Sequence, residues 1–155
     1  MKQKGFTLVE LMIVVAIMGI LMTIAGLSYS TMMGRYRLEG QVRQLYADLM
    51  NARVQAMQKN RIYFMTMTAT SYSVVEDKND NGLNDDVATT TTTLKYPSSN
   101  WVGKTATLSA RGLVSPDNDV ISFGGTGVSA AFDCINLNIT RIGLGKLNGS
   151  NCIAQ

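Results

Sequence analysis

The hydrophobic pattern changes twice along the chain. From Phe6 to Leu27 apolar residues follow one another with few polar interruptions, which predicts a helix that is apolar on every side. Near Leu38 the pattern narrows to a stripe. Leu38, Val42, Leu45, Leu49, Ala52 and Ala56 recur at steps of four and three, the period of a helix with one buried face. Arg35, Glu39, Arg43 and Arg53 lie mostly off that stripe, and Glu39 and Arg43 are spaced as an i,i+4 ion pair worth a few tenths of a kcal/mol. Phe6 to about Asn60 therefore reads as one helix, about 80 Å long at 1.5 Å per residue. Gly26, Ser30 and Gly34 fall four apart within it. Small residues at that spacing either let helices approach closely or weaken the helix into a joint.

After Arg61 the period falls to two. Ile62–Thr68 and Tyr72–Val75 read as strands around a short turn, and Thr89–Tyr96 as an exposed edge strand or a low-complexity loop. Thr105–Leu108, Val120–Phe123, Ile135–Ile139 and Ile142–Leu144 alternate in the same way, with Gly, Asn and Ser between them. One long helix followed by several short strands predicts an α+β fold: an N-terminal helix, half hydrophobic and half amphipathic, packed against an antiparallel β-sheet head. Trp101 reads as part of that core rather than as a ligand platform.

Charge sharpens the picture of the N-terminus. Glu10 stands inside the apolar run, and an unpaired carboxylate in lipid costs several kcal/mol, so it needs a partner. Lys2 and Lys4 precede the run and predict a cytoplasmic N-terminus, while Phe6–Leu27 is long enough for the roughly 20 residues of a bilayer span. In a secretory signal the small-residue cleavage site follows the apolar stretch. Here Gly5 comes before it, so cutting after Gly5 would keep the hydrophobic helix. Loss of Lys2 and Lys4 lowers the net charge from +3 by two, to +1, a balance that argues for no particular polyanionic partner. The 155 residues contain no histidine, which removes the commonest general base, the usual Ser and Cys triads and most catalytic zinc sites. No GK[ST] phosphate loop is present either. The composition speaks against an enzyme.

The run KGFTLVELMIVVAIMGIL resembles the leader and N-terminal helix of type IV pilins and type II secretion pseudopilins. Leu45–Arg61, with Ala52, Arg53 and Ala56 leading into the first strand, is similar to the FimT and GspH group of minor pilins and pseudopilins. Many major pilins carry a proline where this chain has Leu27. The resemblance implies a leader at residues 1–5, a transmembrane and filament-core helix at 6–34, and the amphipathic helix half with the head at 35–155. It implies cleavage between Gly5 and Phe6 by a prepilin peptidase, which also N-methylates Phe6. It further implies that Glu10 neutralises the terminal amine of a neighbouring Phe6, setting subunit register. The implied partners are other pilins or pseudopilins, the peptidase and methyltransferase, an inner-membrane assembly platform and membrane lipid. The implied location is the bacterial inner membrane, single-pass, and then a periplasmic or extracellular filament. A structural minor subunit is expected, with a major pilus subunit and a DNA receptor for natural transformation as alternatives.

Three features of the head carry further chemistry. In an exported protein the pair Cys134 and Cys152 favours a disulfide worth roughly 3 kcal/mol, against two buried thiols. Asp77, Asn79, Asn81 and Gly82 occupy positions 1, 3, 5 and 6 of an EF-hand-like loop, with Asp85 at position 9, but Ala88 replaces the bidentate Glu. Calcium held by Asp77, Asn79, Asn81 and Asp85 is the one cofactor candidate, and a solvated hairpin turn is its rival. Some FimT-like proteins bind DNA through basic residues of the C-terminal part; Lys104, Arg111, Arg141 and Lys146 are the candidates here. Phosphate binding needs several of them on one face.

Overall fold

A helix of this length needs a defined stop, and Asn60 provides it. Helix α1 runs Leu8–Lys59; Asn60 then takes the left-handed conformation at φ 53°, and the Arg61 amide donates back to the Ala56 carbonyl at 3.1 Å. That 6→1 bond closes the orphan carbonyls of the last turn, and asparagine tolerates the conformation better than most residues. The structure is a computed structural model that describes residues 5–123 and 127–154, without the side chains of 24–28. The leader residues 1–4, and the side chain of Leu27, therefore lie outside the described residues. The α1 backbone is helical through Gly26, Ser30 and Gly34.

The chain divides into two compact units, Met1–Gly34 and Arg35–Gln155. In the first, the described large apolar side chains from Phe6 to Met22 are all exposed. Among the described residues no helix is long and apolar enough to cross a membrane. The expected span from Phe6 to Leu27 is thus not found there. The described side chains of the run stop at Thr23, short of roughly 20 residues, and the apolar sequence continues through residues 24–28, outside them.

In the second unit the strands are β1 (Tyr63–Met67), β2 (Ser71–Glu76), β3 (Ala88–Thr93), β4 (Thr105–Leu108), β5 (Val114–Ser115), β6 (Asp119–Ser122), β7 (Cys134–Leu137), β8 (Ile142–Asn148) and β9 (Asn151–Ala154). They form two antiparallel sheets, ordered β3-β2-β1-β4-β5 and β6-β7-β8-β9. The threonine run is an exposed edge strand. Alternation along β1 and β2 turns Met65, Met67, Tyr72 and Val74 inward, where they meet the stripe Leu38, Val42, Leu45, Leu49, Ala52 and Ala56 in one buried cluster. Ile121, Ile135 and Leu137 of the second sheet join it, as does Trp101, which is fully buried. Each buried Leu, Ile or Met side chain contributes about 1.5–3 kcal/mol relative to exposure. This cluster is what fixes the second sheet to the same core.

The polar flanks of the amphipathic helix half fasten the loops. Gln41 accepts from the Lys95 and Tyr96 amides and donates to the Tyr96 carbonyl. Asp48 accepts the Tyr72 hydroxyl at 2.6 Å. Burial, and then this carboxylate, push the Tyr72 phenol well above its ordinary range. The expected Glu39–Arg43 pair is not formed. Glu39 instead accepts the Ala131 amide at 2.7 Å, and Arg43 lies 4.7 Å over the Phe132 ring. A backbone donor and an aromatic face outcompete an exposed i,i+4 pair because that pair is worth only a few tenths of a kcal/mol.

The Cys134–Cys152 disulfide is formed, with Cα atoms 5.9 Å apart, and joins β7 to β9 across β8. Gly145 pairs with Cys134 on one side and Ala154 on the other, directly beneath the bridge. A Cβ at Gly145 would sit 2.8 Å from Cys152 Sγ and closer still to the Ile153 carbonyl oxygen. Gly145→Ala is expected to destabilise the oxidised protein by about 1–3 kcal/mol. Denaturant unfolding checks this, and an unchanged midpoint would show that the strand can shift without cost.

Candidate processing and assembly site

Helix α1 begins with a threonine and a glutamate three residues later. The Glu10 carboxylate accepts from both the amide and the hydroxyl of Thr7 through Oε2, each at 3.0 Å, and the Glu10 amide donates to Thr7 Oγ1 at 3.3 Å. This is a capping box, in which side chains satisfy the free amides of the first turn. The Thr7 carbonyl already accepts the first helical bond, from Leu11. Glu10 therefore has a partner inside its own chain, and both bonds to its carboxylate use Oε2. Gly5 and Phe6 lie just outside the helix; nothing crowds Gly5 within 4 Å, and Phe6 is 85 % exposed. The scissile bond implied by the resemblance is thus presented on open, non-helical backbone.

The acidic loop between β2 and β3 is organised by its own backbone. Asp77 is buried and accepts the Asn81 amide at 3.2 Å and the Gly82 amide at 2.8 Å, while Gly82 takes φ 75°. Asn79 and Asn81 place their side-chain oxygens on the Asn81 and Leu83 amides and turn their NH2 groups to Asp85. The four calcium candidates, Asp77, Asn79, Asn81 and Asp85, do converge in one loop. Their oxygens are engaged by N–H donors, and two amide nitrogens face Asp85 where a cation would require oxygen. Among the described residues no group of three or more acidic, His or Cys side chains could hold a metal ion. At the base of the loop Glu76 meets Lys59 at 2.7 Å and Arg61 at 3.8 Å. The bond to Lys59 holds the Glu76 carboxyl below its ordinary 4.5 despite its burial.

The basic candidates separate. Lys104 pairs with Asp119 at 3.2 Å and lies 5.7 Å from the Trp101 ring centroid. Lys146 stands toward the far end of β8. Arg111 and Arg141 occupy two turns that a third cation draws together: Arg53 Nε donates to the Gly112 carbonyl at 2.7 Å and Nη2 to the Thr140 carbonyl at 2.8 Å. Arg53 thus brackets the β4–β5 and β7–β8 turns, and the Val114 amide bonds the Ile139 carbonyl between them.

Comparison with known families decides the identity. The prokaryotic N-terminal methylation motif matches residues 1–26, and the type II transport protein GspH family matches residues 41–152. The chain belongs to the type II transport protein GspH family. No curated protein and no solved structure matches it. This GspH-type chain is a member of the pilin and pseudopilin superfamily, and the N-terminal motif with the family indicates an inner-membrane-anchored subunit. The first match contains Gly5, Phe6, Thr7 and Glu10; the second contains both cysteines, the acidic loop and the basic turns. Residues 27–40 fall in neither.

Two elements of the site were missed in the sequence reading. The spacing of Thr7 and Glu10 before an apolar run is the signature of a capping box and was visible. The anchoring role of Arg53 had no local signal, because its acceptors lie far along the chain.

Two outcomes are expected of the GspH-type head. Asp77→Ala should cost about 1 kcal/mol by removing the acceptor of the Asn81 and Gly82 amides, with the same loss in calcium and in chelator. A thermal shift of the unaltered protein with calcium, absent in Asp85→Ala, would instead make the loop a metal site. The Glu76 value is lowered in the folded state, so its contribution is complete above the unfolded value of 4.5 and disappears as pH falls through the lower folded value. Glu76→Gln should therefore lose less stability than the unaltered protein between about pH 5 and 3, and parallel pH curves would contradict this.

Proposed function

We propose that this GspH-type chain is a structural minor pilin or pseudopilin that is cut between Gly5 and Phe6, N-methylated on Phe6, and assembled into, or used to prime, a type II secretion pseudopilus or type IV pilus. Before assembly it is held in the inner membrane by a single pass, with its N-terminus in the cytoplasm; afterwards it lies in the periplasm or outside the cell. Its partners are other filament subunits, the prepilin peptidase and methyltransferase, and the assembly platform. It performs no chemistry of its own.

The observation that carries this reading is the solitary charge of the apolar half. Between Phe6 and Gly34 Glu10 is the only acidic or basic residue. A capping box needs one carboxylate oxygen, and the Thr7 contacts engage Oε2 alone. Oε1 is the atom we assign to the ammonium group that cleavage creates on a neighbouring subunit. In an apolar bundle such a pair selects one stagger, because any other leaves two charges without partners. The alternatives draw less support. Lys104 is matched by Asp119, which leaves Arg111 and Arg141, on the two turns that Arg53 joins, as the candidates brought together, fewer than phosphate binding needs.

Glu10→Ala should reach the membrane and be cut at Gly5–Phe6 as before, while its recovery in sheared filaments falls by about tenfold or more. Glu10→Gln keeps the cap acceptor and should fail in the same way, which separates charge pairing from helix capping. Normal incorporation of the glutamine variant, or a mature chain whose mass retains residues 1–5, would sink the reading.

A further inference from the structure

Just before the amphipathic stripe begins, the chain carries cations that no carboxylate neutralises. Between Glu10 and Arg35 the sequence holds no charged residue. Arg35, Tyr36 and Arg37 then follow one another, and all three are exposed. Lys95, in the segment after β3, is exposed as well. None of the ion pairs among the described residues involves Arg35, Arg37 or Lys95.

Gln41 is the reason that Lys95 arrives beside Arg37. The two helix residues are i,i+4 neighbours on one face. Gln41 Oε1 accepts the Lys95 amide at 2.8 Å and the Tyr96 amide at 3.0 Å, and Nε2 donates to the Tyr96 carbonyl at 2.7 Å. Three bonds from one side chain therefore hold the Lys95 segment against the helix turn that bears Arg37. Both cations line one cavity of about 290 Å³, which Gln44, Tyr72 and the Thr92–Thr93 end of β3 also wall.

Among the described residues no carboxylate lines this cavity. Asp48 bonds two of its wall residues, and those bonds occupy both carboxylate oxygens: Gln44 donates to Oδ1 at 3.0 Å and Tyr72 to Oδ2 at 2.6 Å. Asp48 itself lines a separate cavity with Asn51 and Gln55. The Arg37 guanidinium, the Lys95 ammonium and the Thr93 hydroxyl are thus the groups offered to a ligand. That set suits a phosphate oxygen pair, to which a guanidinium gives two parallel bonds and an ammonium a point charge. The place in the chain selects the source of the phosphate. An apolar segment held in lipid brings the residues that follow it to the headgroup layer, where Tyr rings and Arg or Lys heads are favoured. Tyr29 and Tyr36, both exposed, flank the end of that segment in sequence.

We propose that the Arg37–Lys95 cavity binds the phosphodiester of an anionic phospholipid headgroup while the subunit is held in the membrane, with Arg35 adding to the positive field. Burial of an apolar helix is non-directional and sets no depth. A headgroup seated between two cations supplies that missing constraint, and each cation near an anionic surface strengthens the attachment. The contact is given up when the subunit leaves the bilayer. This goes beyond the assembly role and rests on the membrane-held stage of that reading.

The test places the full-length chain in nanodiscs of phosphatidylcholine alone or of phosphatidylcholine mixed with phosphatidylglycerol. A water-soluble reagent acylates exposed amines, and mass spectrometry reads Lys95 against Lys146 as internal reference. Phosphatidylglycerol should slow Lys95 about fivefold relative to Lys146, and added salt should weaken the effect. Arg37→Gln should remove most of the slowing, while Arg37→Lys keeps part of it because the charge stays and the fork is lost. Both variants should melt as the unaltered chain does, since Arg37 is exposed. Soluble glycerol phosphate added to the neutral discs should leave Lys95 as reactive as before. The proposal is overturned if phosphatidylglycerol leaves Lys95 unchanged, if Arg37→Gln is protected as well as the unaltered chain, or if Lys95 and Lys146 slow equally, which is general attraction to an anionic surface. Equal protection by glycerol phosphate also overturns it, by making the cavity a site for a soluble anion. An inserted chain without protection ends this inference and leaves the filament reading intact. Protection in a chain whose Glu10→Gln variant enters filaments normally would do the opposite.

Discussion

The constraint behind everything else is an apolar helix segment whose described side chains its own chain leaves uncovered. From Phe6 to Met22 the large hydrophobic side chains stand open, far beyond the few hundred Å² that a soluble monomer leaves exposed. That surface needs an apolar phase, which lipid or a bundle of sister helices can supply. Burial of this kind is non-directional and fixes neither depth nor register. Any specificity must come from the few polar groups in the segment, and Glu10 is the only charged one. The capping box shows how such a group is kept: Thr7 supplies two donors to Oε2, so the carboxylate is partly compensated before any neighbour arrives.

The other half of the same helix solves the opposite problem. Its stripe is fully covered, so its polar flanks are free to organise the loops that the sheets leave behind. Gln41, Glu39, Arg43, Asp48 and Arg53 reach chain segments 24 to 92 residues away. Each satisfies a loop carbonyl or amide or packs against a loop ring, except Asp48, which accepts the hydroxyl of Tyr72 in β2. One element therefore sets both the core and the placement of the surface turns. A change at Arg53 would be felt at both basic turns, although neither is its neighbour in sequence.

What could be read from the residues was whatever repeats locally. The period of the stripe from Leu38 to Ala56, the helix end at Asn60 and the α+β class all follow from spacing and residue type, whereas the threonine run was left between an edge strand and a loop. The division of the strands into two sheets did not, because alternation marks a strand without naming its partner. Val114–Ser115 is too short to show a period, and Asn151–Ala154 is a polar-flanked edge strand with none. The Glu39–Arg43 spacing misled because local proximity was weighed without knowing that Ala131 and Phe132 arrive beside it. At the site, the methylation motif was legible in full, whereas the grouping of Arg53, Arg111 and Arg141 depends on loops brought together from three parts of the chain.

Gly145 shows how tightly the second sheet is tied to its chemistry. A disulfide between neighbouring strands needs no special residue beneath it, but this one skips a strand, and the intervening backbone must come close to the sulfur. Glycine at that position leaves the space that any side chain would fill. The bridge joins β7, buried in the core, to β9, an edge strand whose side chains contribute nothing to the buried cluster. An edge strand without core contacts has only its ladder with β8 to hold it. The covalent link replaces the missing burial, so the last strand of the head stays tied to the core although its own side chains are largely exposed.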